Sequence, residues 1–148
     1  MTEPNRTIAL VSCVSEKVDH PAPARGLYIS PWFKKASTYA TSLTEEWYVL
    51  SAKYGLARPD EILAPYNMTL KKMPARERRA WAKDVILDLH QIVERGDRIV
   101  ILAGERYREF LVGPLQGLGC VVEIPMKGKL IGEQLAWLNR QLGLSNAR

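Results

Sequence analysis

Ile8, Ala9, Leu10 and Val11 follow one another without a polar break, and a strand of that kind has to be covered on both faces. Ile99-Val100-Ile101-Leu102-Ala103 repeats the pattern, and Trp47-Tyr48-Val49-Leu50 and Cys120-Val121-Val122-Glu123-Ile124-Pro125 read as further strands. Helical patterns alternate with these runs. Ser30-Pro31 combines an N-cap serine with proline at the first helical position, and Phe33, Ala36, Ala40 and Leu43 follow at helical spacing. From Ala75 to Arg95, Trp81, Val85, Ile86, Leu89 and Val93 make one apolar face. Two more helices are predicted, from about Glu105 to Leu118 and from about Ile131 to Leu142, the second closed by Gly143. Strands alternating with helices predict an α/β fold, a single three-layer α/β/α sandwich around a mostly parallel sheet of about four strands.

At 148 residues the chain is expected to form one domain over 1–148, with residues 1–6 and 144–148 frayed. Its 47% apolar and 25% charged residues are those of an ordinary globular protein. There is no run of 18 apolar residues, so no membrane partner is expected, and the polar start before the first strand does not resemble a leader. Cys13 and Cys120 each lie in or beside an apolar strand, which fits reduced thiols in a cytoplasmic protein. The net charge of +5 favours an anionic partner. Composition leaves the oligomeric state open.

In an open α/β sheet, ligands bind outside the carboxyl ends of the strands. Three strand-to-helix loops should meet there: residues 12–28, 51–67 and 103–108. The first carries Ser12, Cys13, Lys17, Arg25 and Tyr28. The second carries Ser51, Lys53, Tyr54, Asp60 and Tyr66. The third carries Gly104, Arg106 and Tyr107, with Gly104 opening a helix whose N-terminus could receive an anion. Hydroxyl, phenol and cationic groups in all three are what a pocket for a phosphate or a flat heterocycle would need, although such loops are polar in any case. The stretch Ser51-Ala52-Lys53-Tyr54-Gly55 is the densest of these, and the plain alternative is a turn with Lys53 solvated.

Each group has a functional and a structural reading. Cys13 is a nucleophile or a packing residue, and no histidine near it in sequence could activate it. Lys17 and Lys53 bind phosphate, act as nucleophiles if desolvated, or are surface lysines. Tyr28, Tyr66 and Tyr107 stack on a base or are partly buried core. Asp60 and Asp19 are the loop aspartates available as a general base. No HExxH, CxxC, GxGxxG or Walker pattern occurs, so no metal, dinucleotide or other cofactor is expected.

A second signal is the cluster Lys71, Lys72, Arg76, Arg78, Arg79 and Lys83, interrupted by Glu77. Cations in the first turn of a helix oppose its dipole, at a few tenths of a kcal/mol each, roughly, unless an anion answers them. The cluster is either a track for nucleic-acid phosphates, with Trp81 buried beneath it, or a solvated basic face.

The stretches VSCVSEK, PARGLYISPWFKKA, WYVLSAKYGL, PYNMTL and ILAGERYREFL together resemble a family of short bacterial and phage proteins whose function is unknown. The matching positions run through Ser12, Cys13, Lys17, Ala24, Arg25, Leu27, Tyr28, Ser30 and Phe33, then Ser51 to Leu56, Pro65, Tyr66 and Thr69. The first stretch is also similar to the serine–cysteine–lysine segment in the catalytic core of archaeosine synthase, a tRNA base-modifying enzyme. More distantly, the layout resembles the uracil-DNA glycosylase-like sandwich, although that group's Asp-Pro-Tyr and His-Pro-Ser motifs have no counterpart in this sequence.

These readings lead to two expectations. In the first, the protein is an enzyme acting on a nucleobase or nucleoside in nucleic acid or a nucleotide, by glycosidic cleavage or base modification. Tyr28, Tyr54 or Tyr107 would hold the base. Lys17, Arg25 and Arg106 would bind flanking phosphates, and Lys53 or Asp60 would carry the proton or nucleophile role. In the second, it is a nucleic-acid- or nucleotide-binding accessory module without turnover, relying on residues 71–83.

Overall fold

The computed structural model describes residues 5–12 and 16–144. In chain order these form β1 (Thr7–Ser12), β2 (Ala22–Pro23), α1 (Ala24–Leu27), α2 (Pro31–Leu43), β3 (Trp47–Ser51), β4 (Gly55–Ala57) and β5 (Ile62–Leu63). A 3-10 turn at Leu70–Lys72 then leads into α3 (Ala75–His90), β6 (Arg98–Leu102), α4 (Glu105–Arg108), α5 (Val112–Gly117), β7 (Val121–Glu123) and α6 (Ile131–Gln141). None of these helices is long and apolar enough to cross a membrane.

The main sheet has five strands in the order β4-β3-β1-β6-β7. β1 is central and parallel to both neighbours, with Val11 opposite Val49 on one side and Leu102 on the other. The chain first crosses from β1 to β3, then doubles back past β1 to β6. Right-handed crossovers in opposite directions put their helices on opposite faces of the sheet. Accordingly α2 packs on β1 and α6, while α3 packs on β4 and α4. The result is a mixed α/β fold in which Ile8 to Val11 are fully buried from both sides. In sheets of this kind ligands bind outside the carboxyl ends of the strands where the chain reverses, here β1 and β6.

Local chemistry explains where the elements begin and end. Ser30 Oγ accepts from the Phe33 N–H at 3.1 Å, and Pro31 opens α2 as the spacing predicts. The segment predicted as one helix over 105–118 is two short ones. Pro114 has no N–H for the Phe110 carbonyl and its ring would clash there, so no continuous helix can pass through. α3 stops at His90 rather than at Arg95. The Asp97 carboxylate accepts from the Glu94 N–H at 2.8 Å and holds the chain in a turn instead. β7 is shorter than residues 120–125, and Pro125 could not have donated to a ladder. At the amino end, Asn5 Nδ2 donates to the Arg95 carbonyl at 2.9 Å and Arg6 pairs with Glu46 and Asp97. The fraying expected through residue 6 therefore does not extend to Asn5 and Arg6.

The fifth strand is the main departure from the predicted sheet. The loop expected over residues 51–67 is partly strand: after Ser51 the chain turns through Ala52, Lys53 and Tyr54 and returns antiparallel as β4, with Gly55 opposite Ser51. The return requires φ +71° at Gly55, a backbone conformation that costs other residues about 1–2 kcal/mol. β4 thereby covers the edge of β3 and packs beneath α3.

Candidate functional site

The turn after β3 is organised by the Ser51 hydroxyl. Ser51 is fully buried, and its Oγ accepts the Tyr54 N–H at 3.0 Å. The same oxygen lies 2.8 Å from the Tyr66 hydroxyl, which in turn lies 2.9 Å from the Tyr28 hydroxyl. Three hydroxyls from three segments thus form one hydrogen-bonded chain at the carboxyl end of β3. The rings pack edge to face around it, Tyr54 on Tyr66 at 5.6 Å and Tyr28 on Tyr66 at 6.4 Å between centroids. Lys17 Nζ stands 4.3 Å from the centre of the Tyr66 ring, within cation–π range.

Backbone pairing holds the first two loops together. The Val18 N–H donates to the Leu27 carbonyl at 2.9 Å and the Ile29 N–H to the Glu16 carbonyl at 3.0 Å, closing the first loop on itself. β2 and β5 then pair antiparallel, and the Ala24 N–H donates to the Glu61 carbonyl at 2.8 Å. The third loop joins through Trp81 of α3. Its Nε1 donates to the Ser51 carbonyl at 2.9 Å, and its ring packs edge to face on Tyr107 at 5.8 Å. Trp81 is half-buried, and nothing in the sequence pointed to its bond with Ser51.

The candidate residues divide into groups. Ser12, Ser51, Tyr28 and Tyr107 are buried, so the two tyrosines serve as core rings here rather than as open stacking faces. Tyr54 and Tyr66 are half-buried, and Lys53 is exposed with Nζ 5.3 Å from the Tyr54 ring centre. The turn is at Ala52, Lys53 and Tyr54, with Gly55 already in β4, and Lys53 is at the surface. Gly104 precedes a helix of only four residues, too short for the anion-binding terminus predicted there. Arg106 is exposed, with Nη1 3.7 Å from Glu109 Oε2. Cys13 lies outside the described residues.

Two candidates sit elsewhere. Because β4 runs antiparallel to β3, the chain travels back down the sheet, and Asp60 ends beside Glu45, Glu46, Trp47 and Tyr48 in an open cleft of about 380 Å³. That is the amino end of β3, about 15 Å from Ser51 at the rise of an extended strand, so Asp60 cannot work with Lys53. Arg25 follows it, with its backbone N–H bonded to the Pro59 carbonyl at 2.8 Å and its Nη1 3.5 Å from the same oxygen. In the cleft, burial and then the Glu46 carboxylate push the Tyr48 phenol up.

The basic cluster separates as well. Lys71, Lys72, Arg76, Arg79 and Lys83 are exposed. Arg78 is buried: Nε donates to Glu109 Oε2 at 3.2 Å and Nη1 to the Met73 carbonyl. One residue's difference along a helix is about 100° around it, which turns Arg78 inward while Arg79 faces water over the Phe110 ring. Among the described residues, no three His, Cys, Asp or Glu side chains gather as a metal site.

The chain is similar to the uncharacterized protein YfjM of Bacillus subtilis (strain 168), with 28% identity over 152 residues covering 91% of this chain and 94% of that protein. No solved structure matches it. A protein-family model matches residues 8–140, from the first residue buried in β1 into the last turn of α6, so the chain belongs to the family of unknown function DUF6884.

Proposed function

We propose that this protein acts on a nucleobase or nucleoside carried in nucleic acid or a nucleotide, by glycosidic cleavage or base modification, at the carboxyl end of the sheet. The observation that carries this reading is the chain Ser51–Tyr66–Tyr28 under the Lys17 ammonium. Hydroxyls coupled in series can pass or hold a proton, and a cation over the central ring favours negative charge developing on its oxygen. Tyr54 and Tyr66, half-buried, offer aromatic surface for a base, and exposed Lys53 beside them could meet a substrate phosphate or act as a nucleophile. The parallel core flanked by helices supports the finer, uracil-DNA glycosylase-like reading of the fold. The free buried thiol of Cys120 fits a cytoplasmic setting.

The second reading is an accessory module that binds nucleic acid without turnover. The placement of Asp60 at the other end of β3 favours it, because it takes one of the two residues expected to carry the proton or nucleophile role away from the tyrosine cluster. One experiment distinguishes the two. Oligonucleotides and nucleotides incubated with the protein are analysed by mass spectrometry for base loss or a changed base mass. Turnover that disappears in Lys53→Ala and in Tyr66→Phe, with the fold retained by circular dichroism, supports the enzyme. Full activity in Lys53→Ala sinks the role given to that lysine, and no mass change with any substrate leaves the binding module.

A further inference from the structure

The exposed charges of α3 are sorted by sign. Arg76, Arg79 and Lys83 recur at spacings of three and four and so share one flank of the helix, whereas Glu77, Asp84 and Asp88 share another about a quarter to a third of a turn away. None of the three cations has an acidic residue three or four positions along to answer it, and Arg76, Arg79 and Lys83 are instead each other's neighbours. Like charges at that spacing cost a helix roughly 0.2–0.5 kcal/mol per pair. Arg76 adds to this by standing in the first turn, at the positive end of the dipole. Among the described residues, Arg76, Arg79, Lys83, Lys71 and Lys72 make no ion pair. Arg78, by contrast, is fully engaged inside.

The row lies on the same helix that reaches the candidate site, on the face turned away from Trp81. The hydrogen bond from Trp81 to the Ser51 carbonyl ties the first half of α3 to the turn that carries Lys53. The 3-10 turn with Lys71 and Lys72 packs on α4, which carries Arg106. From Arg76 to Lys83 the helix rises about 10 Å, which matches roughly three nucleotides at an axial rise of about 3.4 Å each. A single nucleotide could answer one of these cations but not the row.

We infer that the partner is a polynucleotide strand rather than a free nucleotide, its phosphodiester backbone running along Arg76, Arg79 and Lys83. This deepens the nucleic-acid reading above and rests on it. The test is binding of a labelled oligothymidylate or oligouridylate of about 20 nucleotides, longer than a typical single-strand site, against thymidine monophosphate, over a salt series. The proteins compared are wild type and Arg76→Ala/Arg79→Ala/Lys83→Ala. Alanine is the best helix former, so the variant should fold and melt no lower than wild type. At about 0.7 per phosphate for a single strand, loss of three contacts should flatten the log–log salt slope by about 2. Monophosphate binding should not change.

An unaltered slope in the triple variant would overturn the inference. So would a monophosphate that binds as tightly as the oligonucleotide, or binding to phosphatidylserine vesicles through these residues with none to the oligonucleotides. Oligonucleotide binding that depends on the three cations but yields no chemical change would support the track and sink the enzymatic reading alone.

Discussion

Replacing Arg78 with alanine separates the two jobs a cation in a basic run can do. The change removes two hydrogen bonds at once, to Glu109 Oε2 and to the Met73 carbonyl, and takes out a buried aliphatic stem. It leaves behind a Glu109 carboxylate whose side chain is only 22% exposed. Removing one member of a buried ion pair costs about 3–5 kcal/mol when the other is stranded. Glu109 keeps some water and has Arg106 Nη1 at 3.7 Å. The expected loss therefore falls to about 2–3 kcal/mol. For a chain of this size each kcal/mol shifts Tm by about 2–4 °C, so the melting point should fall by about 5–10 °C. Thermal unfolding followed by circular dichroism at neutral pH reads this directly. Arg78→Lys keeps the charge but not the forked donor geometry, and should melt between the two. Arg79→Ala, one residue along but solvent-facing, should stay within about 0.5 kcal/mol of wild type. An Arg78→Ala protein that melts with wild type yet binds nucleic acid with a flatter salt dependence would refute the buried role.

Three further outcomes are expected. Gly55→Ala has ordinary room for its methyl, 3.8 Å from Val85 Cγ2, but must adopt φ +71°, so it should lose about 1–2 kcal/mol in denaturant unfolding; an unchanged midpoint would mean the hairpin turn is not as described. Tyr66→Phe removes the hydroxyl between Ser51 and Tyr28 while keeping the ring, and should cost about 1–2 kcal/mol, whereas a neutral result would show that the hydroxyl chain is not formed. Burial pushes the Asp97 carboxyl up, but bonds from the Glu94 N–H and the Arg6 guanidinium outweigh it and hold it below the ordinary value. Its contribution to stability is therefore complete above the unfolded-state value, about pH 3.9, and is lost as pH falls through the folded value. Melting of wild type should decline below about pH 4 and that part of the decline should flatten in Asp97→Asn; an identical acid slope in the two proteins would contradict this.

Much of the fold was legible in the chain because it depends on local rules. Ile8–Val11 and Ile99–Leu102 announce doubly covered strands by having no polar break, and Ser30-Pro31 announces the start of α2 by capping chemistry. The convergence of the strand-end loops was likewise legible, since it follows from parallel strands alternating with helices. Pro114 was visible too, and its effect on the helix over 105–118 is local, but the regular apolar spacing masked it.

What only the tertiary structure decided are the pairings between residues far apart in sequence. A glycine after Tyr54 says that a turn is possible but not that the chain will return along β3, and that return carries Asp60 to the wrong end of the sheet. Arg78 and Arg79 are indistinguishable in a run of charges. The position of α3 against α4 buries one on Glu109 and leaves the other in water. The chain of hydroxyls from Ser51 through Tyr66 to Tyr28 spans 15 and 38 residues of sequence separation, and no local preference encodes it. Periodicity and capping act within a turn or two of backbone, so they belong to the sequence. Which polar groups meet is settled only when the core closes and the lost contacts with water must be replaced.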